Sequence, residues 1–527
     1  MLYSSSARTV YTPQITPESE SLEMHSYKKV LVILALILSV LPFAHAQDEQ
    51  PQAGGTLTVA LTEEFTTLNP IQLISTSDIQ LTRTLYETLF RIDYSDPALP
   101  LVPHLAESYT VSEDGLTWTI NVRQGVFFHH GKELNADDVV FSLERAKDPN
   151  ISYGAGGLQF LESVEKVDTY VVQLNLTMPH FLFAEVLEYF AYAIVPSDRT
   201  EEQIATEPSG TGAFKLQEYS ASEKAVLVKN ENYWVEGLPY LDELVLRVIP
   251  DRKTQIAALV SGEVDAVSDV GALDLPILTA QPGIVVEQTA PFHASPLLVA
   301  NTTLAPFDDV RVIQALKMAL DRQTLANLIG GGLAVPSADH IVPPGHPLSA
   351  NIPVPQQDIE GARALLAEAG YPDGIEITLV TSPVAYGAVE LAVAVQEMVA
   401  PAGITITLER VDPSMYWTTQ YMQVPFFLSS WSSGNLMGVI PTMYLSTSYY
   451  NETQCCGEVL DNLIYSFIVA KTVEERLLAA AEFQMFVNEN DGHIIPFIAP
   501  FVIAKRDNVF GEPNNYLTVR YETSWVK

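Results

Sequence analysis

Residues 103–149 read PHLAESYTVSEDGLTWTINVRQGVFFHHGKELNADDVVFSLERAKDP. Within them Trp118, Ile120 and Val122 alternate with Thr117, Thr119, Asn121 and Arg123, the period of a strand with one buried and one wet face. Ser112-Glu113-Asp114-Gly115 just before it is turn chemistry, because glycine enters positive φ at little steric cost. After Phe127 and Phe128 the chain turns at Gly131. Asn135 then stands where a helix N-cap belongs, with Asp137 and Asp138 at the positive end of the helix dipole. Val139, Leu143 and Ala146 share one face of that helix. The stretch predicts a hairpin, a tight turn and a capped helix, in that order.

Outward from this stretch, strand and helix patterns alternate along the chain, which argues for α/β lobes. Residues 375–380, 386–400 and 404–408 read as strand, helix and strand, a βαβ unit with an expected right-handed crossover. The helix before them, residues 359–369, is expected to bury Ile359, Ala362, Leu366 and Ala369 and to stop at Gly370, with Pro372 beyond. A later helix opens with Thr472 and Glu475 at capping-box spacing, with Leu478, Ala481 and Met485 expected on its inner stripe. Gly330-Gly331-Gly332 follows an apolar helix and reads as its terminator.

At 527 residues and 47% apolar, the chain exceeds the size at which a single core keeps growing, so more than one lobe is expected. Its one long apolar run, residues 30–43, follows Lys28-Lys29 and precedes Ala44-His45-Ala46. A membrane-spanning helix needs roughly 20 such residues, whereas the core of a cleavable export signal needs about 7 to 15 before a small-x-small site. Residues 1–46 are therefore read as an N-terminal extension and signal peptide ending at Ala46. Met24 begins a normal-looking signal, and residues 1–23 carry no fold argument.

The two cysteines, Cys455 and Cys456, do not follow the signal where a lipoprotein is acylated, so release into a periplasm is expected. As neighbours they admit a ring disulfide, a soft-metal contact or no role, and without a nearby histidine or third cysteine they make a poor metal site. Net charge is −36, and the signal region holds three basic and three acidic residues, so its removal leaves that balance unchanged. Such a surface repels nucleic acid and anionic lipid and keeps a soluble protein monomeric. No GxSxG elbow, HExxH helix or GxxxxGK loop occurs. Hydrolase, zinc-protease and ATPase readings thus lack their minimum residues, and neither a cofactor nor a catalytic residue is assigned. His129 and His130 would point to opposite faces of a strand, so a surface role is expected rather than a grip on one ion.

The order of elements in residues 103–149 resembles the large bacterial solute-binding proteins of family 5, which serve ABC importers of peptides, nickel complexes and related solutes. Residues 55–59, Leu68-Asn69-Pro70 and Leu85-Tyr86-Glu87-Thr88-Leu89 match that family's opening strand, LNP turn and first helix. Gly210-Thr211-Gly212-Ala213-Phe214-Lys215 is similar to its GTGPY element, with alanine in place of proline. Asn301, Pro306-Phe307-Asp308-Asp309-Val310-Arg311 and Ala319-Leu320-Asp321-Arg322 resemble its "N…PF.D.R…A.DR" block, and residues 362–371 its "A..LL.EAGY" helix end. This chain departs from the pattern at His130, where an aspartate is usual, and at Ile313, where a second arginine is. Arg311 is expected to be a structural ion-pair partner.

The resemblance implies a two-lobed periplasmic-binding-protein fold with an inserted subdomain and a ligand cleft between lobes joined by two crossing segments. Its layout places the base of lobe I in residues 47–92, 208–296 and 490–527, the inserted subdomain in 93–207 and lobe II in 297–489. Crossings are expected near residues 299–301 and 494–502. It also implies capture of a peptide or peptide-like small solute for an inner-membrane ABC permease and its ATPase. A non-peptide solute (oligosaccharide, opine-like compound or metal chelate) is the alternative, with a secreted enzyme or a periplasmic sensor or chaperone behind it.

Residues 426–450, FFLSSWSSGNLMGVIPTMYLSTSYY, join an apolar strand to aromatic, small and amide side chains, the mixture that lines a solute cavity. The ligand-binding set is expected to be Trp431, Ser432, Ser433 and Asn435 here, with Tyr416 and Trp417 from a nearby loop and Thr76 and Ser77 from the first lobe. Peptide-capturing members of the family typically carry an aspartate three residues after the tryptophan, paired with the ligand's amino group; Gly434 stands there. A hydrogen bond to a charged group is worth roughly 1.5–3 kcal/mol, so its absence weakens selection of free peptide N-termini by one or two powers of ten.

Overall fold

The computed structural model describes residues 50–73, 75–93, 96, 100–271, 274–288, 294–383, 387–412, 415–416, 419–511 and 519–527. A seven-stranded sheet carries the first lobe, in the order Ile284–Gln288, Val502–Arg506, Ala266–Val267, Thr56–Leu61, Glu243–Val248, Lys224–Lys229 and Phe214–Ser220. Thr56–Leu61 lies parallel to both neighbours, and the outer pairs are antiparallel. A five-stranded sheet carries the second lobe, in the order Ile404–Arg410, Ile375–Thr381, Phe426–Ser432, Ala294–Ala300 and His493–Ile494. Its first two strands are parallel and are joined through the helix Ala388–Val399, the βαβ unit expected from the sequence. That helix begins after Gly387, whose φ of 74° favours glycine; residue 386, its expected start, lies outside the described residues.

The chain leaves the seven-stranded sheet after Gln288 and joins the five-stranded one at Ala294, then returns between Ile494 and Val502. The strand that contains Val299 already belongs to the second lobe, so the first crossing precedes residues 299–301, where it was expected. A four-stranded antiparallel sheet, in the order Ala106–Val111, Thr117–Val122, Val171–Leu176 and Leu161–Asp168, builds the inserted part with the helix Ala136–Lys147. Trp118, Ile120 and Val122 are at most 1% exposed, each burial stabilising the fold by about 1.5–3 kcal/mol. Asn135 caps the helix in a reciprocal capping box with Asp138, and Lys132 pairs with that aspartate.

Two separated sequence words meet in the first lobe. A Cβ on Gly210 or Gly212 would lie 1.9 Å and 2.4 Å from the backbone carbonyl oxygens of Leu85 and Thr84, so only glycine lets these segments approach. The same contact buries Glu87, whose carboxylate accepts from His104 Nε2 (2.8 Å), Thr211 Oγ1 (2.7 Å), Tyr233 OH (2.8 Å) and Trp234 Nε1 (2.9 Å). Burial alone would raise its pKa. The neighbouring His104 and these donors win, holding it below the usual range.

Arg311 pairs with Asp309, the cap of the helix Val310–Met318, with Nη2 2.5 Å from Oδ2, as expected of a structural ion pair. The helix Val473–Asn490 starts at the predicted Thr472–Glu475 capping box, but its buried stripe is Ala479, Ala480, Phe483 and Val487, while Leu478 and Met485 are 63% and 49% exposed. This corrects the expected face. The phase is set by packing on the antecedent helix Gly457–Val469, where alanines permit close approach. Among the described residues no helix is long and apolar enough to cross a membrane.

Candidate functional site

The lobe II wall is built at the end of the strand Phe426–Ser432. Phe426, Phe427 and Leu428 are fully buried and anchor that strand in the sheet. Trp431, near its end, is half-buried and donates Nε1–H to Glu452 Oε2 at 2.9 Å. Glu452 is 0% exposed and also accepts from Tyr421 OH (2.6 Å) and Ser429 Oγ (2.5 Å). Behind it, His493 Nε2 lies 3.3 Å from Glu452 and Nδ1 2.5 Å from Asp491 Oδ2. Burial opposes a charge on this imidazole, but the Asp491 carboxylate on one side and Glu452 on the other lift its pKa to about 9. The ring is therefore an imidazolium at neutral pH, and a chain of charged hydrogen bonds runs from the returning strand His493–Ile494 to Trp431.

The facing wall comes from the inserted part and the helix Thr76–Leu85. Arg83 Nη2 donates to Glu188 Oε1 at 3.0 Å and its guanidinium lies over the Phe190 ring at 5.9 Å. Glu188, 1% exposed, accepts on its other oxygen from Asn435 Nδ2 at 2.8 Å, and the same nitrogen donates to the Glu185 carbonyl at 2.9 Å. Asn435 thereby crosses from the second lobe to the inserted part while its Oδ1 caps the helix Leu436–Tyr444 through Gly438 N at 3.0 Å. Beside this polar bridge, Tyr450 stands edge-on to Trp431, with ring centroids 6.3 Å apart. Burial raises the pKa of both Tyr189 and Tyr450. Further along the seam Phe181 N donates to the Ile468 carbonyl (3.2 Å), Thr447 Oγ1 to Gln159 Oε1 (3.0 Å) and Lys471 Nζ to the Glu113 carbonyl (2.9 Å).

The expected site residues divide by what holds them. Ser432 accepts from Gly434 N at 3.2 Å, and Ser433 is fully buried. Tyr416 is 0% exposed and donates its hydroxyl to the Leu428 carbonyl, which makes it a support of the strand carrying Trp431. Thr76 N and Oγ1 both donate to Glu63 Oε2 at 2.6 Å, and Ser77 Oγ donates to the Glu63 carbonyl at 2.8 Å, so both tie the start of their helix to the strand-end loop. Trp417 lies outside the described residues. Sequence reasoning missed Glu452, Tyr450, Glu188, Tyr189 and Arg83; of these only Tyr450 falls inside the stretch singled out.

His129 Nε2 meets the Gly212 carbonyl at 2.9 Å, and His130 Nδ1 meets Ser209 Oγ at 2.6 Å. His129 thus clasps the glycine-rich loop from within, whereas His130 stays at the surface as expected, with Nε2 3.3 Å from Asp198 Oδ2. Burial lowers the pKa of His129 to about 4, keeping it neutral. Cys455 and Cys456 are joined as a disulfide. Among the described residues no group of histidine, cysteine and acidic side chains is arranged to hold a metal. A cavity of about 80 Å³ inside the first lobe borders Arg83 and Glu188, well below the about 300–1,000 Å³ of solute pockets.

The family model described as bacterial extracellular solute-binding proteins, family 5 Middle, matches residues 100–452. The glutathione-binding protein GsiB of Salmonella typhi is 32% identical over 364 residues, 68% of this chain and 70% of the relative. GsiB of Escherichia coli O1:K1 / APEC is 31% identical over the same shares. Among solved structures, the periplasmic binding protein DppA from Helicobacter pylori with the peptide STSA aligns with a TM-score of 0.80 at 24% identity, covering 90% of this chain and 98% of that one. AgaA from A. tumefaciens R10 with agropinic acid aligns with a TM-score of 0.80 at 25% identity, covering 90% and 99%. These likenesses carry the two-lobed periplasmic-binding-protein fold.

Proposed function

The chain belongs to the bacterial extracellular solute-binding proteins of family 5, and on that premise we propose that it traps a peptide or peptide-like small solute between its lobes and hands it to an inner-membrane ABC permease. The observation that carries this reading is the seam. Asn435 of the second lobe reaches Glu188 and the Glu185 carbonyl of the inserted part, and Trp431 and Tyr450 meet edge-on at 6.3 Å on the second-lobe side. Aromatic rings offer area at low entropy cost and hydroxyl tips for orientation. Ligand contacts made to both walls exist only in the closed form, so they shift an open–closed equilibrium, and reversing it from 1:99 to 99:1 takes about 5.5 kcal/mol of preference.

In this reading Trp431, Ser432 and Ser433 contact the solute, Asn435 locks the closed form, Tyr416 braces the Trp431 strand, and Thr76 and Ser77 hold the first-lobe edge. The glutathione and peptide named for the relatives favour a peptide. A non-peptide solute is the second reading, favoured by Gly434 at the expected aspartate position and by the likeness to AgaA. We take residues 1–46 as an export signal cut after Ala46 without lipid anchoring, the working form as a monomer without turnover, and the transport energy as supplied by a separate ATPase. We take the lobe limits as 47–92, 208–296 and 490–527 for lobe I, 93–207 for the inserted part and 297–489 for lobe II; the seven- and four-stranded sheets support the first two, while sheet membership draws Ala294–Pro296 and His493–Ile494 to the second lobe. Native mass spectrometry of protein purified from its own host without refolding tests the reading. A retained small molecule, lost on Trp431→Ala, is expected. Chemical conversion of that molecule, or a chain that retains nothing and ignores peptides in calorimetry, would sink it.

A further inference from the structure

The loop that precedes the helix Gly457–Val469 is drawn tightly into the second lobe. Glu452, Thr453 and Cys455 are 0%, 1% and 4% exposed. Thr302 N donates to the Thr453 carbonyl at 2.8 Å, Thr453 Oγ1 to Asp491 Oδ1 at 2.8 Å, and Gln454 N to Asn451 Oδ1 at 3.0 Å. Yet the backbone is left-handed at Gln454 (φ 54°), Cys456 (φ 72°) and Gly457 (φ 47°), a conformation that residues with a Cβ disfavour. At Cys456 the covalent bond to Cys455 opposes its escape.

Both ends of this loop lead to the seam. Upstream, Glu452 receives the Trp431 indole N–H. Downstream, Cys456 is the N-cap of the helix Gly457–Val469 and supplies no side-chain cap bond. That helix meets the inserted part where Tyr465 stands edge-on to Phe160 at 5.7 Å and the Ile468 carbonyl accepts from Phe181 N. The sulfurs can be reached: Cys456 is half-buried, and both cysteines wall a surface hollow of about 350 Å³ with Thr302, Phe307, Val310 and Val459.

We propose that Cys455–Cys456 is a thiol-exchange site whose redox state sets how firmly Trp431 is held and, through it, the affinity of the cleft, the last clause resting on Trp431 lining that cleft. The reductant is an external dithiol. One of its thiolates attacks Cys456 Sγ, the more accessible sulfur, and the Cys455–Cys456 bond breaks as Cys455 leaves as a thiolate and takes a proton. The dithiol's second thiolate then displaces Cys456, so the dithiol is oxidised to its disulfide by two electrons while the protein gains two electrons and two protons. Once protonated, Cys455 can donate to the Asn490 carbonyl, which already lies 3.5 Å from its sulfur. The opened loop is free to leave the left-handed conformation at Cys456, and Glu452 loses its fixed position under Trp431.

The test treats residues 47–527 with dithiothreitol in the absence of denaturant, caps thiols with N-ethylmaleimide, and follows mass and hydrogen exchange. Two adducts per chain are expected, with faster exchange in peptides covering 426–435 and 457–469 that reverses on re-oxidation. S-methylglutathione, a peptide probe without a thiol, is expected to bind the reduced chain about tenfold more weakly. The exchange measurement needs no ligand, so a probe that binds neither form counts against the peptide reading while exchange decides the redox site. Absence of adducts under native conditions, or unchanged exchange in both segments after reduction, overturns the proposal. A Cys455→Ser/Cys456→Ser chain must exchange like the reduced protein; exchange like the oxidised one overturns it equally.

Discussion

His493 holds a positive charge in the interior of the second lobe, flanked by Asp491 and Glu452. Its pKa is lifted from the ordinary 6.5 to about 9, so the folded state binds the proton more tightly than the unfolded one. The stabilisation is fully present below pH 6.5 and is lost as pH rises through about 9. Unfolding free energy from urea titrations is expected to fall by up to about 3 kcal/mol between pH 6.5 and 9.5. His493→Gln should flatten that slope and lower stability at pH 6; an unchanged slope would refute the assignment. Neither His493 nor Glu452 was legible in the sequence, since each is an isolated polar residue whose partners arrive from distant segments. Trp431 was singled out because it ends an apolar strand inside a stretch with cavity-like composition.

Element by element, legibility followed how local the cause was. The strand around Trp118 and the Asn135 cap rest on period and capping within a few residues, and both formed as expected. The buried face of Val473–Asn490 did not follow, because its phase depends on the partner helix rather than on its own run of leucine and methionine. Gly210 and Gly212 could be recognised as a word, but their reason is the backbone of Leu85 pressed against them. Gly210→Ala is expected to cost about 3 kcal/mol, the upper part of the range for overpacking, with loss of the Glu87 hydrogen bonds. A thermal midpoint within a degree or so of the parent would show that the contact can relax. Gly125→Ala, where a Cβ would meet nothing within 4 Å but φ is 73°, separates backbone conformation from crowding and should cost about 1 kcal/mol.

For the whole molecule, the two-lobed fold agrees with the family resemblance, but the first crossing comes earlier in the chain than expected because Val299 already sits in a second-lobe strand; the cross-lobe bridge could not be read, because Asn435, Glu188 and Arg83 lie in three separate regions of the chain. Asn435→Ala removes a hydrogen bond to a buried carboxylate, worth roughly 1.5–3 kcal/mol, or about 10–100-fold in the closing equilibrium. Small-angle scattering of the ligand-free protein should show a larger radius of gyration for this variant; identical profiles would mean that the bridge contributes nothing to closure. The bridge also has a bearing on supply and demand at the membrane. Were these protein-to-protein contacts to do part of the shutting, a vacant molecule would present the same outer shape to the permease as a laden one. Such decoys would compete with genuine deliveries, so import would slacken more steeply than occupancy as solute runs short.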